Sequence, residues 1–385
     1  MYNLANWQDI LEKQLETFPP PISVKDAAIL YSDASLNDLM FVAMERRQAQ
    51  VPGNLVTFLI DRNINYTNVC TINCHFCSFY RTPGHEESYT QTVDEISERI
   101  GELESLGGSR ILMQGGVNPS LPFEWYTDLL SELSIRHPSI SLDCFSPIEI
   151  EGIAEVSGFS TLEVLSKFRD SGLHGLPGGG AEMLVDSVRS GISPRKGSSN
   201  NWLKVMKEAQ SLGLITSATN VFGFGESYFQ RVEHMEKIRS LQDNSLSSGF
   251  PGFTSFISWP VMLENNNFGK IGRRRKSTGL GAGAVEYLRH VAVSRIFMNN
   301  IDHIQSSWPT MGLGVAQIAL SAGADDIGST MMEENVVSAS GTKKTMTTVE
   351  ELKNSIIDSG FTPALRDSEY NLLDHIGVKE VALEV

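Results

Sequence analysis

The sequence predicts an α/β protein, a (β/α)8 TIM-type barrel with a helical N-terminal extension. Three observations carry this expectation. The chain has 385 residues, the length of one large α/β barrel with additional helices. Through its middle, short β-rich runs ending in Gly, Ser or Pro alternate with amphipathic helical patterns, the order that makes a parallel sheet. Eight such runs can be counted, which suits a closed barrel better than an open sheet.

In chain order, residues 1–50 read as the helical extension. Residues 51–385 read as the barrel domain with a C-terminal helical segment, and no low-complexity linker separates the two. The candidate strands are Leu55–Ile60, Arg110–Gln114, Ser141–Phe145, Gly175–Leu176, Thr216–Phe222, Phe253–Ser258, Ile304–Ser307 and Ala324–Ile327. Thr92 and Glu95 form a capping box before Val93, Ile96, Ile100 and Leu103, and Gly107–Gly108 stops that helix. Ser160 and Glu163 repeat the device ahead of Leu162, Leu165 and Phe168, as do Thr348 and Glu351 ahead of Leu352, Ile356 and Ile357. Trp202, Val205, Met206, Ala209 and Leu212 form another apolar stripe, closed by Gly213. In such a barrel the chemistry belongs at the C-terminal strand ends, where the polar, Gly-rich turns fall.

Composition narrows the class. Lys plus Arg number 31 and Asp plus Glu 46, a formal charge of −15 that argues against a duplex nucleic-acid partner. With 41% hydrophobic and 20% charged residues, the chain is neither disordered nor fibrous. Its first residues lack the basic start and apolar core of a secretory signal. The longest uncharged run, Asn244–Leu263, holds five serines, two prolines and two glycines. It is a poor membrane span and reads as a turn leading into a buried strand. A cytoplasmic protein with no membrane contact is expected.

Four cysteines in this length exclude a disulfide framework. Cys70, Cys74 and Cys77 form Cys-x3-Cys-x2-Cys directly after the first strand. Three thiolates on one short loop can hold three irons of a [4Fe–4S] cluster and leave the fourth iron open to a ligand. The competing reading is a zinc-stabilised binding protein without catalysis, with His75, His85 or Cys144 as fourth ligand. Zinc modules usually bring their ligands in two separated pairs, and no second pair exists here. Cys144, on the third strand, is expected to pack in the core.

The cysteine spacing, with Phe76 just before the last cysteine, resembles the radical S-adenosylmethionine (radical SAM) superfamily. That resemblance implies a [4Fe–4S] cluster held by Cys70, Cys74 and Cys77. It also implies S-adenosylmethionine (SAM) on the open iron, with Phe76 bordering the adenine. Further stretches are similar to the cyclic dehypoxanthinyl futalosine synthases of the futalosine route to menaquinone. They include Asp61 to Cys70, Phe79-Tyr80-Arg81, Leu112 to Gly116, Phe145-Ser146-Pro147, Leu176 to Glu182, Arg231 to His234 and Gly328 to Asn335. The likeness covers roughly residues 25 to 370 and extends to aminofutalosine synthase and the deazaflavin-cofactor synthases. It implies an oxidative cyclase: a 5′-deoxyadenosyl radical takes the ribose C4′ hydrogen, and the carbon closes a spiro ring onto the benzoate.

The resemblance also suggests site residues. Gln114-Gly115-Gly116 would contact the methionine moiety of SAM, the glycines allowing close backbone approach, or would form only a strand-to-helix turn. Glu182, after Gly178-Gly179-Gly180, would serve a hydroxyl or amino group of SAM or substrate, or merely complement a helix dipole. Glu226 would accept from a ribose hydroxyl, or act as a first-turn carboxylate. Tyr80 and Arg81 follow the cluster loop, and Arg81 would pair with a ligand carboxylate or form a surface salt bridge. Gln305 and Ser307 would face the substrate from the seventh strand.

Three departures from the family pattern bear on substrate. Asp143 stands where the cyclising enzymes usually carry His, Asn220 where Met is usual, and Ser258–Glu264 replaces a Gln-Pro-bearing stretch. They leave room for a relative acting on another aryl-linked nucleoside or natural-product precursor. The run Lys270, Arg273, Arg274, Arg275, Lys276 is either a solvated loop or a dock for an acidic electron donor such as flavodoxin or ferredoxin.

Overall fold

The computed structural model describes residues 6–275, 279–342 and 344–373. Its strands are β1 (Leu55–Leu59), β2 (Asp61–Ile64), β3 (Arg110–Met113), β4 (Ser141–Cys144), β5 (Gly175–Leu176), β6 (Ile215–Phe222), β7 (Phe253–Pro260), β8 (His303–Gln305), β9 (Asp326–Ser329) and β10 (Thr362–Leu365). All pairings are parallel, in the order β10-β1-β9-β8-β7-β6-β5-β4-β3-β2.

Only Ile60 separates β1 from β2, so one short stretch meets both ends of the sheet. Arg62 pairs with Ile111 of β3 on one side and bridges to Met332, just beyond β9, on the other. Thr330 N donates to Leu59 O at 3.1 Å and Asn63 N to Met332 O at 2.9 Å. These bonds close the ring, leaving no open edge between first and last barrel strands. β10 lies outside that ring, along β1.

All eight expected strands are present. β2 and β10 are two more, which the local pattern does not announce. β2 reads Asp-Arg-Asn-Ile yet is buried throughout, because Asp61 and Asn63 find partners in Arg110 and Glu334 on the lumen side, while Arg62 turns outward to pair with Glu102 and Glu333. β10 lies in the C-terminal region, where only a helix is expected from the sequence. It follows the helix Val349–Asp358, whose Thr348/Glu351 capping box is formed.

The other two capping boxes are formed as well. In the helix Thr161–Asp170, however, Val164 joins Leu165 and Phe168 in the core while Leu162 is 42% exposed. The run from Asn244 begins in the last turn of the helix Tyr228–Ser247 before it enters β7. Among the described residues no helix is long and apolar enough to cross a membrane.

Residues 7–50 form three helices, Trp7–Lys13, Val24–Asp33 and Leu36–Gln50. The last two start at Ser23 and Ser35, whose hydroxyls accept from backbone N–H groups. Ala27, Leu30, Tyr31, Leu39 and Val42 share one continuous core with Tyr287 and Val291 of the helix Ala284–Phe297. Tyr31 Oη and His290 Nδ1, 2.6 Å apart, seal that contact. The extension thus buries its apolar face on the barrel wall.

Candidate active site

The cysteines sit on the loop that leaves the C-terminal end of β2. Backbone bonds fix it from several sides. Cys70 N donates to Arg81 O (2.9 Å), Thr71 N to Val117 O (3.1 Å) and His75 N to Ile192 O (3.0 Å). Phe268 N donates to His75 O (2.7 Å) and Cys77 N to Cys74 O (3.2 Å). Cys74 is buried, while Cys70 and Cys77 are half-buried. Burial raises the Cys70 thiol, and pushes Cys77 up to about 11 with the charge of Cys74 adding to it. The three sulfurs therefore lie within electrostatic reach of one another.

A buried cation stands beside them. Lys196 Nζ donates to Glu182 Oε1 at 2.7 Å and lies 5.4 Å from the centre of the Phe76 ring. Burial opposes its charge, but Cys74 and Glu182 outweigh that and hold Lys196 above the usual lysine range. Glu182 Oε2 is buried without a hydrogen-bond partner, and its backbone has a positive φ of 38°. That oxygen lies 3.6 Å from Arg189 Nη1, too far for a hydrogen bond, so two buried cations face the carboxylate and its free acceptor is a natural place for a polar donor of a ligand.

The glycine turns are demanded by the protein itself. A Cβ on Gly115 would fall 2.8 Å from the Tyr66 ring, and one on Gly116 would fall 2.2 Å from Val69 O and 2.7 Å from Cys70 Cβ. These glycines let the second turn pack under the cysteine loop, a reason the sequence did not supply. Gly179 likewise approaches Gln114, whose Nε2 donates to Phe145 O at 3.0 Å. Holding the turn is Glu149, which sequence reasoning missed. Its Oε1 accepts from Gly115 N (2.9 Å) and Tyr66 Oη (2.7 Å), and its Oε2 from Ser146 Oγ (2.7 Å). Burial pushes the Glu149 carboxyl up to about 7 against those bonds. The available signal was Ser146-Pro147-Ile148-Glu149, a helix start with capping-box spacing.

Several expected ligand contacts are engaged elsewhere. Glu226 accepts from Gly223 N (2.8 Å), Phe224 N (2.7 Å) and Arg231 Nε (2.6 Å), with its side chain fully buried. It locks its own turn. Arg81 pairs with Glu87 at 2.6 Å and donates to the carbonyls of Ser78, Phe79 and Tyr80, so it organises the loop. Tyr80 Oη donates to Asn73 Oδ1. Asn220 does not face the lumen. The alternation of β6 turns it outward, where Nδ2 donates to Glu182 O at 2.8 Å. Cys144 is fully buried in the core, as expected.

Inside the barrel lies a cavity of about 230 Å³, walled by Asn63, Leu112, Gln114, Thr219, Ile257 and Gln305 among others. Gln305 and Ser307 line it as expected, although Ser307 Oγ is shared with Thr310 Oγ1 at 2.9 Å. At its upper end Trp259 joins the apolar cluster of Phe76, Val221, Phe224 and Val261. Asn63 Oδ1, Arg110 Nε and Ser306 Oγ are buried along the wall without partners, the mark of a cavity shaped for a polar ligand.

The floor is ionic. Arg110 pairs with Asp61 and lies 3.8 Å from Asp143. Asp143 accepts from Ser141 Oγ and Ser368 Oγ, each at 2.9 Å. Arg366 pairs with Asp326 at 2.5 Å and stacks on Tyr370, which in turn lies 3.8 Å from the ring of His303. Burial raises the Asp143 carboxyl, and Arg110 pulls it back. The negative charge that Asp143 would present to a carboxylated substrate is thus softened by a neighbouring guanidinium.

This architecture has counterparts. The sequence matches the Radical SAM superfamily over residues 64–238 and the CofH/MqnC C-terminal region over residues 250–378. It is 40% identical over 361 residues to a cyclic dehypoxanthine futalosine synthase of Halalkalibacterium halodurans, covering 94% of each chain. The chain belongs to the radical SAM superfamily. It is a radical SAM enzyme, and its cofactors are those of the superfamily, a [4Fe–4S] cluster and SAM. A second relative is a 5-amino-6-(D-ribitylamino)uracil–L-tyrosine 4-hydroxyphenyl transferase of Methanopyrus kandleri. It is 33% identical, over 85% of this chain and 87% of its own. The [FeFe]-hydrogenase maturase HydG shares the fold, with a TM-score of 0.71 at 17% identity over 94% of this chain and 77% of its own.

The donor set fits those cofactors: three free thiols stand on one loop fixed by backbone bonds, the number that a [4Fe–4S] cluster with one open iron needs.

Proposed function

We propose that Cys70, Cys74 and Cys77 ligate the cluster and that the enzyme closes the spiro ring of dehypoxanthinyl futalosine in menaquinone formation. The observation that carries this reading is a rigid three-cysteine loop at the mouth of a closed barrel with a partly unsatisfied polar lumen. When bound, the cluster and SAM supply a 5′-deoxyadenosyl radical at the price of one electron. The substrate loses its ribose C4′ hydrogen, and that carbon bonds to the attached benzoate ring. The ring radical then gives one electron to a one-electron acceptor and one proton to a base, which restores the aromatic ring.

The chain's own task is to hold and shield. Phe76 borders the nucleoside side of the mouth, and Lys196 with Glu182 offers a charged pair to the amino-acid end of SAM. Gln114 and Gln305 present amides along the wall. Arg110 Nε, without a partner at the floor, is a donor for a substrate carboxylate or hydroxyl. The closed wall excludes water and stray hydrogen donors, and positioning supplies most of the rate. We assign the enzyme to the cytoplasm, where low-potential electron carriers operate.

A second reading, action on another aryl-linked substrate, is favoured by Asp143 in place of the family's His and by the hydroxyphenyl transferase relative. Anaerobic reconstitution with iron and sulfide, reduction, and incubation with SAM and dehypoxanthinyl futalosine separate them. A product two hydrogens lighter supports the cyclase. Formation of 5′-deoxyadenosine without that product moves the assignment to the second reading. A colourless protein retaining one zinc overturns both.

A further inference from the structure

We infer that the face carried by the helix Asn267–Arg275, seated on the cysteine loop, docks a small acidic one-electron carrier protein. The inference rests on the cluster reading above and adds the partner and its surface. By sequence alone this basic run reads first as a solvated loop and only second as a dock. The structure makes residues 267–275 a helix, and Lys276 lies outside the described residues.

The helix touches the site directly. Phe268 N donates to His75 O, between Cys74 and Cys77. The Phe268 ring meets Phe224 at 5.4 Å between centroids, and Phe224 meets Phe76 at the same distance. The other face of this helix exposes Lys270, Arg273 and Arg274 to solvent. Arg195, also exposed, adds a fourth cation at the rim, its Nη1 donating to Thr71 O at 3.1 Å, next to Cys70. Ile271, 39% exposed, gives the patch an apolar contact point.

The charge sign is what makes the patch informative. On a chain of net charge −15, four exposed cations gather where the half-buried Cys70 and Cys77 bring the site nearest to solvent. Glu264 is the acid facing Arg273, at 3.7 Å with both side chains more than half exposed, and such a pair neutralises little. A basic rim on an acidic molecule steers an acidic partner to one orientation. The step it serves is one electron passing from the carrier, which is oxidised, to the cluster, which is reduced. No bond forms or breaks.

The test compares two electron sources on the reconstituted holoenzyme. The variant K270E/R273E/R274E should lower 5′-deoxyadenosine formation driven by pre-reduced acidic flavodoxin by about ten-fold or more at low ionic strength. The gap should narrow as salt rises. Formation driven by dithionite should stay within about two-fold of wild type, since the reversed charges lie outside the cavity. K270Q/R273Q/R274Q should give an intermediate loss with flavodoxin. An unchanged flavodoxin rate, or equal losses with both reductants, overturns the inference. Wild-type protein that fails with dithionite as well sinks the cluster reading instead.

Discussion

The mouth and the floor of the barrel are built on opposite plans. At the mouth, three cysteines within eight residues are fixed mainly by backbone bonds, and the glycines of the next turn pack beneath them. The floor draws Asp61, Arg110, Asp143, Asp326, Arg366 and Ser368 from five separate stretches of chain and joins them through charged side chains. Backbone scaffolding leaves the cysteine side chains free for a ligand. Side-chain scaffolding ties each group to its neighbours. Changes at the mouth should therefore cost activity and leave the fold, whereas changes at the floor should cost stability first.

The sharpest break of this contrast is Cys74→Ser. It should abolish cluster assembly and SAM cleavage while the apoprotein melts as wild type does. A large fall in melting temperature would mean that the loop is structural after all. Next is Arg366→Met, which leaves Asp326 buried without its guanidinium. Breaking a buried pair costs about 3–5 kcal/mol, measurable by urea denaturation of the apoprotein. An unchanged midpoint would show that the floor does not carry stability.

Glu149→Gln probes the join between the two plans. Its folded carboxyl, raised to about 7, lies above the ordinary value of 4.5. Glu149 therefore contributes stability below pH 4.5 that is lost as the pH rises through about 7. Wild type should lose about 3 kcal/mol across that window relative to the Gln variant. Parallel stability–pH curves for the two proteins would refute the assignment. A smaller effect than these last two belongs to Asp143→Asn, whose amide oxygen accepts from one serine while its Nδ2 donates to the other hydroxyl, and it should shift stability by about 1 kcal/mol. It should leave SAM cleavage intact and change the amount of cyclised product per 5′-deoxyadenosine. An unaltered ratio would remove Asp143 from the substrate's surroundings.

Much of the fold is legible in the sequence. The capping boxes at Thr92, Ser160 and Thr348 depend on residues three apart, so local spacing announces them. The cysteine loop is legible for the same reason. Less visible are the roles of single charged and polar residues. Glu226 and Arg81 read either as ligand contacts or as a first-turn carboxylate and a salt bridge, and Asn220 as a departure near the substrate, because a sequence does not say which partner a carboxylate, guanidinium or amide will meet first. In each case a neighbouring backbone group or side chain meets it.

The sequence by itself determined the strand–helix rhythm, the helix boundaries and the three-cysteine loop, because periodicity and capping act over a few residues. The tertiary structure alone decided that Asp61–Ile64 continues the first strand to close the ring, and that Thr362–Leu365 pairs beside it. It also decided that Ser368 and Tyr370 form the floor, and that a basic helix rests on the cysteine loop. Those outcomes depend on strand register and on side chains that meet across tens to hundreds of residues of chain. Pairing at that range is set by where the barrel places each side chain, and no local pattern encodes it.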